Sequence, residues 1–247
     1  MEGQDWGLEK VIMKKESVNG LKWLPEEHFK QLEKLLNHLN LGSYLNGPIN
    51  EQEAIHMKLE DNNVRVQEVK FDDRTKVEIA SGEGVTFLAK LFHVDEVMNE
   101  DGTYNLHLVT IDDGEIIVDS VTPTDSKVVG LSEIINSLIP KEQDVNAQAW
   151  YDSLPCVGNG CCTFTSTALG VILYHHYNWC GANCGSGTPI NAADTCCRTH
   201  DYCYGSFSSY PDRCKCDQNL INCLGNTSSP GAILMAAAFK IKMGQNC

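Results

Sequence analysis

The residues best suited to chemistry form one run, Cys196-Cys197-Arg198-Thr199-His200-Asp201-Tyr202-Cys203-Tyr204. It sets an imidazole, a carboxylate and a row of cysteines within little more than two helical turns. A second run, Cys214-Lys215-Cys216-Asp217, follows. On a helix, His200 and Tyr204 share a face, whereas Asp201 points about 100° away. Asp217 directly follows Cys216, so a bridge from Cys203 to Cys216 would bring Asp217 near His200 and Tyr204. A carboxylate that holds one imidazole nitrogen fixes the tautomer and leaves the other to take a proton from water. Chemistry of that kind needs no serine or cysteine nucleophile. Asp201, facing elsewhere, can serve a cation.

Upstream lies Trp179-Cys180-Gly181-Ala182-Asn183-Cys184-Gly185-Ser186-Gly187-Thr188-Pro189. Its glycines allow backbone angles that turn carbonyl oxygens inward. A hard cation such as calcium prefers such oxygens together with a carboxylate, and Asp201 is the candidate. A bridge from Cys180 to Cys197 would pull this loop onto the His200 helix.

The loop and the two cysteine runs resemble the secreted phospholipase A2 superfamily, and the Trp-Cys-Gly and Cys-Cys-Arg-Thr-His-Asp segments look most like its bee-venom type. The resemblance covers about residues 177–224. It implies a calcium-dependent hydrolase that cleaves the sn-2 ester of glycerophospholipids at a membrane or micelle surface. By that likeness His200 deprotonates a water, Asp217 orients His200, Tyr204 hydrogen-bonds Asp217, and the Gly181 N–H helps stabilise the oxyanion. The implied Ca²⁺ ligands are the carbonyls of Trp179, Gly181 and Asn183 and the carboxylate of Asp201. The implied bridges are Cys180–Cys197, Cys196–Cys223 and Cys203–Cys216, leaving Cys156, Cys161, Cys162, Cys184, Cys214 and Cys247 unassigned. Two departures stand out: Asn183-Cys184 replaces a compact glycine pair, and Arg213 precedes Cys214 where an apolar residue is usual. Tyr210 is the candidate for a second supporting tyrosine. A rival reading keeps the scaffold without the reaction, as a toxin-like module that docks to a membrane or receptor. Intact His200, Asp201 and Asp217 favour the enzyme.

These side chains need helices to carry them. Asn191 suits an N-cap, with Asp194 completing a capping-box-like pair, and the helix it starts should reach about Tyr204. A second helix is expected over about residues 212–224 and a third over 230–243. Residues 163–177 read as a further helix with Leu169, Ile172, Leu173 and His176 on one face. Nearer the N-terminus, residues 25–41 carry a helical stripe of Phe29, Leu32, Leu35, Leu36 and Leu39. Short alternating runs over 54–122, separated by Asp101-Gly102 and Asp113-Gly114, predict antiparallel sheet. Residues 131–138 read as a short helix, and the polar stretch 140–155 as a boundary.

Composition divides the chain at the same place. All 12 cysteines lie from Cys156 onward, an even number that suits disulfides in an oxidising compartment. The adjacent pairs Cys161-Cys162 and Cys196-Cys197 are poor chelates for one tetrahedral ion, which argues against a zinc ribbon. Residues 1–155 hold 29 acidic and 14 basic side chains, whereas residues 156–247 hold 4 and 5. So acidic an N-terminal part repels phosphate and argues against nucleic acid as a partner. The expectation is an α+β domain at 1–150, followed by a small disulfide-rich all-α phospholipase A2-like domain at 151–247. The first is a pro-region that inhibits or assists the second, or an independent partner-binding domain. Disulfides point to a secreted or extracellular protein, although the first 30 residues lack the pattern of a signal peptide.

Overall fold

The computed structural model describes residues 11–16, 21, 23–47, 49, 51–59, 62–82, 84–126, 160–168 and 171–247. Seven strands form an antiparallel meander: β1 (Val11–Glu16), β2 (Glu51–Leu59), β3 (Asn62–Lys70), β4 (Thr75–Gly82), β5 (Val85–Val94), β6 (Tyr104–Asp112) and β7 (Glu115–Thr124), each paired with its sequence neighbour. The expected sheet is present, with β1 added at one edge. Asp113 and Gly114 join β6 to β7 with φ of 47° and 86°. A two-residue turn matching the strand twist needs positive φ at both positions, which Asp-Gly tolerates.

Alternation along the strands gives the sheet two faces. On one, Val77, Ile79, Phe87, Ala89, Leu91, Val109 and Ile111 cluster with Leu32, Leu35 and Leu36 of α1 (Glu26–His38). That is the stripe expected of residues 25–41, laid onto apolar strands. On the other face Val64, Val66, Ala80 and Leu88 belong to a cluster that continues into the cysteine-rich region. The compositional divide therefore crosses a core that both parts share.

The C-terminal region departs from the all-α expectation. Residues 163–177 are not a helix: β8 (Thr163–Ala168) pairs antiparallel with β9 (Val171–His176), Ala168 opposite Val171 and Thr163 opposite His176. Thr163, Thr165, Thr167, Val171 and Ile172 are β-branched, stiff at χ1 and suited to a pleated strand. The apolar spacing that suggested a helix face is outweighed by this side-chain preference. Leu169, the expected helix 131–138 and the boundary stretch 140–155 lie outside the described residues. The three later helices are α2 (Ala192–Ser206), α3 (Cys214–Gly225) and α4 (Ala232–Asn246). Among the described residues, no helix is long and apolar enough to cross a membrane.

Polar contacts tie α3 to the sheet. Lys90 on β5 is 1% exposed and donates to Leu224 O at 3.0 Å and to Thr227 O. Its ammonium meets carbonyls at the end of α3, where a cation is favoured. Burial pushes its pKa down to about 8. Thr110 donates to Gly225 O at 3.0 Å beside it. Farther along the same face Lys76 Nζ sits 3.5 Å from Glu68 and 3.2 Å from Glu78. Desolvation opposes the Lys76 charge, but the two carboxylates outweigh it and hold its pKa above the ordinary value.

Candidate active site

Asn191 caps α2 as expected, its side chain accepting from Asp194 N at 3.0 Å. The Asp194 carboxylate does more than its place in the cap suggests. Fully buried, it accepts backbone N–H groups from Asn178 (3.0 Å), Trp179 (2.7 Å), Cys180 (3.2 Å) and Ile190 (3.0 Å). It is the anchor on which the glycine-rich loop is wound. Asp194→Ala should cost about 1–3 kcal/mol for each buried donor left unsatisfied. Thermal unfolding, with proteolysis of the 178–190 loop as a local probe, checks this; an unchanged melting temperature would refute the anchoring role.

Two bridges fix the loop further, Cys180–Cys197 to α2 and Cys161–Cys184 to the start of the hairpin. Gly181 has φ of 135°, and a Cβ there would lie 2.2 Å from Gly160 O, so no larger residue fits. Asn183 adopts φ of 61°, a left-handed conformation that asparagine tolerates better than most residues. The departure from glycine at 183 therefore preserves the backbone path. Cys180 O accepts from Cys162 N at 2.8 Å and Ala182 O from Gly160 N at 2.6 Å. These two carbonyls are committed to the hairpin side, and the expected ligand set uses the alternate ones, of which Gly181 O also accepts from Cys184 N at 3.2 Å. A Cβ on Gly185 would lie 3.5 Å from Asp201 Oδ2, so the loop closes onto that carboxylate. Burial raises the pKa of Asp201 despite a favourable His200 contact.

These donors suit calcium. Among the described residues, no group of three or more His, Cys, Asp or Glu side chains could hold a metal. A cation here would rely on backbone oxygens plus one carboxylate, a hard-oxygen set.

His200 lies about 100° round α2 from Asp201, with its Nδ1 3.9 Å from Asp201 Oδ1. Its Nε2 is 2.8 Å from Asp217 Oδ1 on α3. Asp217 is fully buried, and a carboxylate can only accept, so Nε2 carries the proton and Nδ1 presents its lone pair. Tyr204 donates to Asp217 Oδ1 and Tyr210 to Oδ2, both at 2.6 Å. Burial, then the bond to Asp217, raises both phenol pKa values, so both remain donors. Tyr210 thus takes the position open for a second supporting tyrosine. The Cys203–Cys216 bridge holds Asp217 opposite His200, and Cys196–Cys223 ties the two helices again. All three bridges implied by resemblance are present; Cys161–Cys184 and Cys214–Cys247 are added, and Cys162 is also disulfide-bonded. Cys156 lies outside the described residues.

The structure thus gathers His200, Asp217 and Tyr204 in one cluster, and Trp179, Gly181, Asn183 and Asp201 around one loop. Sequence reasoning missed the loop contacts of Asp194 and the ring of Phe239, 4.7 Å from the His200 imidazole. In the sequence Asp194 shows only as part of the helix cap, because the loop N–H groups it accepts lie up to 16 residues earlier; the Phe239 contact likewise depends on tertiary packing.

Comparison with known proteins places this cluster in context. Residues 171–242 match the family model described as a phospholipase A2-like domain. "Basic phospholipase A2 3" of Bungarus caeruleus is 37% identical over 78 residues, covering 32% of this chain and 48% of the relative. "Basic phospholipase A2" of Micrurus corallinus is 45% identical over 49 residues, 20% of this chain and 32% of the relative. "Acidic phospholipase A2 beta-bungarotoxin A4 chain" of Bungarus multicinctus is 56% identical over 34 residues, 14% of this chain and 22% of the relative. The chain spans about half the length of the first of these relatives and less of the others. No solved structure matches it.

Proposed function

From the kinship of its C-terminal part with the phospholipase A2 superfamily, we propose that this protein is a calcium-dependent phospholipase A2 that hydrolyses the sn-2 ester of glycerophospholipids at a membrane or micelle surface. The observation that carries the reading is the 2.8 Å contact between His200 Nε2 and a buried Asp217 that two tyrosines hold. His200 Nδ1 accepts the proton of a water as that water attacks the ester carbonyl, then returns it to the leaving alkoxide. Asp217 keeps the proton on Nε2 throughout, and Tyr204 and Tyr210 keep Asp217 in place. Trp179, Gly181 and Asn183 offer backbone oxygens and Asp201 a carboxylate to calcium, and the Gly181 N–H supports the oxyanion. Bound there, calcium supplies the positive charge that stabilises the oxyanion.

The bridges support a secreted or extracellular setting, where disulfides persist. The acidic region 1–150, whose sheet shares a core with the C-terminal helices, is proposed as a pro-region that inhibits or assists the catalytic part, or as a partner-binding domain. The test is fatty-acid release from phosphatidylcholine vesicles with calcium and with excess chelator. Release that stops with chelator supports the reading; unchanged release with chelator overturns the calcium role. No release under either condition favours the non-catalytic docking module.

A further inference from the structure

Helix α4 is buried on every side. Each residue from Ala232 to Phe239, and Ile241 after them, is at most 5% exposed. A helix apolar all round must be covered all round. One cover is the sheet: Val64, Val66, Ala80, Val85 and Leu88 share a cluster with α4, and a Cβ on Gly84 would lie 3.2 Å from Ile241 Cγ1. Lys240 adds an ion pair to Asp113 at 2.8 Å and another to Asp112. The other cover includes His200. The Phe239 ring meets the imidazole edge-on, with centroids 4.7 Å apart and planes at 69°. His200 also meets the Tyr204 ring, centroids 4.1 Å apart. The far end of α4 is tied to the start of the Asp217 helix by Cys214–Cys247.

The Asp217 hydrogen bond holds one vertex of the imidazole but leaves the ring free to swing about that contact. The two rings packed against the imidazole restrict this swing and aim Nδ1 in one direction. We infer that Phe239 is a positioning residue for His200, and that the seven-stranded sheet is the base plate against which α4 presses it. The inference rests on the hydrolase reading for its consequence in rate, and on packing alone for its geometry. It also gives residues 1–150 a supporting part in the site. Losing the wedge lets a general base drift, and a misplacement of about 1 Å can lower a rate by roughly 10²-fold.

The test uses the full chain. Phe239→Leu keeps apolar bulk and removes the ring edge, and Phe239→Met is a second variant if the first folds poorly. Leu88→Ala, with the milder Leu88→Val, loosens the sheet face under α4. Leu36→Ala empties an equally buried position in the cluster on the opposite face. Two quantities are read: kcat and KM on phosphatidylcholine vesicles with calcium, and the NMR shifts of the carbon-bound ring protons of His200, assigned by their loss in His200→Gln. The expected result is a fall in kcat of about 10- to 100-fold in Phe239→Leu with KM little changed. His200 resonances should move in the Phe239 and Leu88 variants and hold still in Leu36→Ala, although that variant also melts at lower temperature. Unmoved resonances and unchanged kcat in Phe239→Leu would overturn the inference, as would Leu36→Ala moving them as far as Leu88→Ala. Absence of hydrolysis in the unaltered chain would sink the hydrolase reading alone, because the resonances still decide whether the wedge exists.

Discussion

Replacing His200 with glutamine should lower turnover by about 10²- to 10⁴-fold, the usual worth of a positioned general base. Glutamine can still donate to Asp217 but offers no basic nitrogen where Nδ1 stood. Tyr204 and Tyr210 continue to hold both Asp217 oxygens, so the fold should change little. Calcium affinity should also persist, since the candidate donors of the loop and Asp201 are untouched. Steady-state hydrolysis beside calorimetric calcium titration separates the two effects. A glutamine variant with near-full turnover would require another base and remove the central reading.

Asp201→Asn should abolish calcium binding and, with it, hydrolysis. The carboxylate is the one formal charge in the expected ligand set, and ligand charge sets affinity in such sites. Burial holds its pKa above the usual carboxylate range, so ionising Asp201 disfavours the calcium-free fold. The sign follows by linkage: above that raised pKa the charged group lowers stability, and as pH falls through it the loss is recovered. Asparagine removes the charge at every pH. The variant without calcium should therefore melt no lower than the parent near neutral pH, while the rise in melting temperature that calcium gives the parent disappears. A variant that still gains stability from calcium would place the cation elsewhere. One that unfolds in its absence would show that Asp201 has a structural role instead.

The site was legible to the extent that its geometry is local or carried by motif. His200 and Tyr204 are one turn apart, Asp217 is chained to Cys216, and the Asn191 cap is a matter of three residues. The two bridges outside the resemblance, Cys161–Cys184 and Cys214–Cys247, were not legible because six unassigned cysteines allow 15 pairings. In the hairpin at 163–176, side-chain branching outweighs the apolar period. Leu32, Leu35 and Leu36 announced α1, and alternation announced the sheet. What no periodicity carries is which sheet face receives which helix. Lys90, an unremarkable lysine in a strand pattern, proves to cap a helix that begins more than 120 residues later.

The Cys214–Cys247 bridge also sets how this region responds to a cut. With Cys196–Cys223 and Cys203–Cys216, it threads α2, α3 and α4 on one covalent network. A protease that nicks the exposed 205–209 segment, or the chain around Asn226 and Ser228, opens a loop without freeing a fragment. The nicked molecule runs at full mass until it is reduced. Phe239 and Asp217 stay tethered to the His200 helix in either case, so the region can lose backbone continuity without shedding any part of the His200–Asp217 cluster.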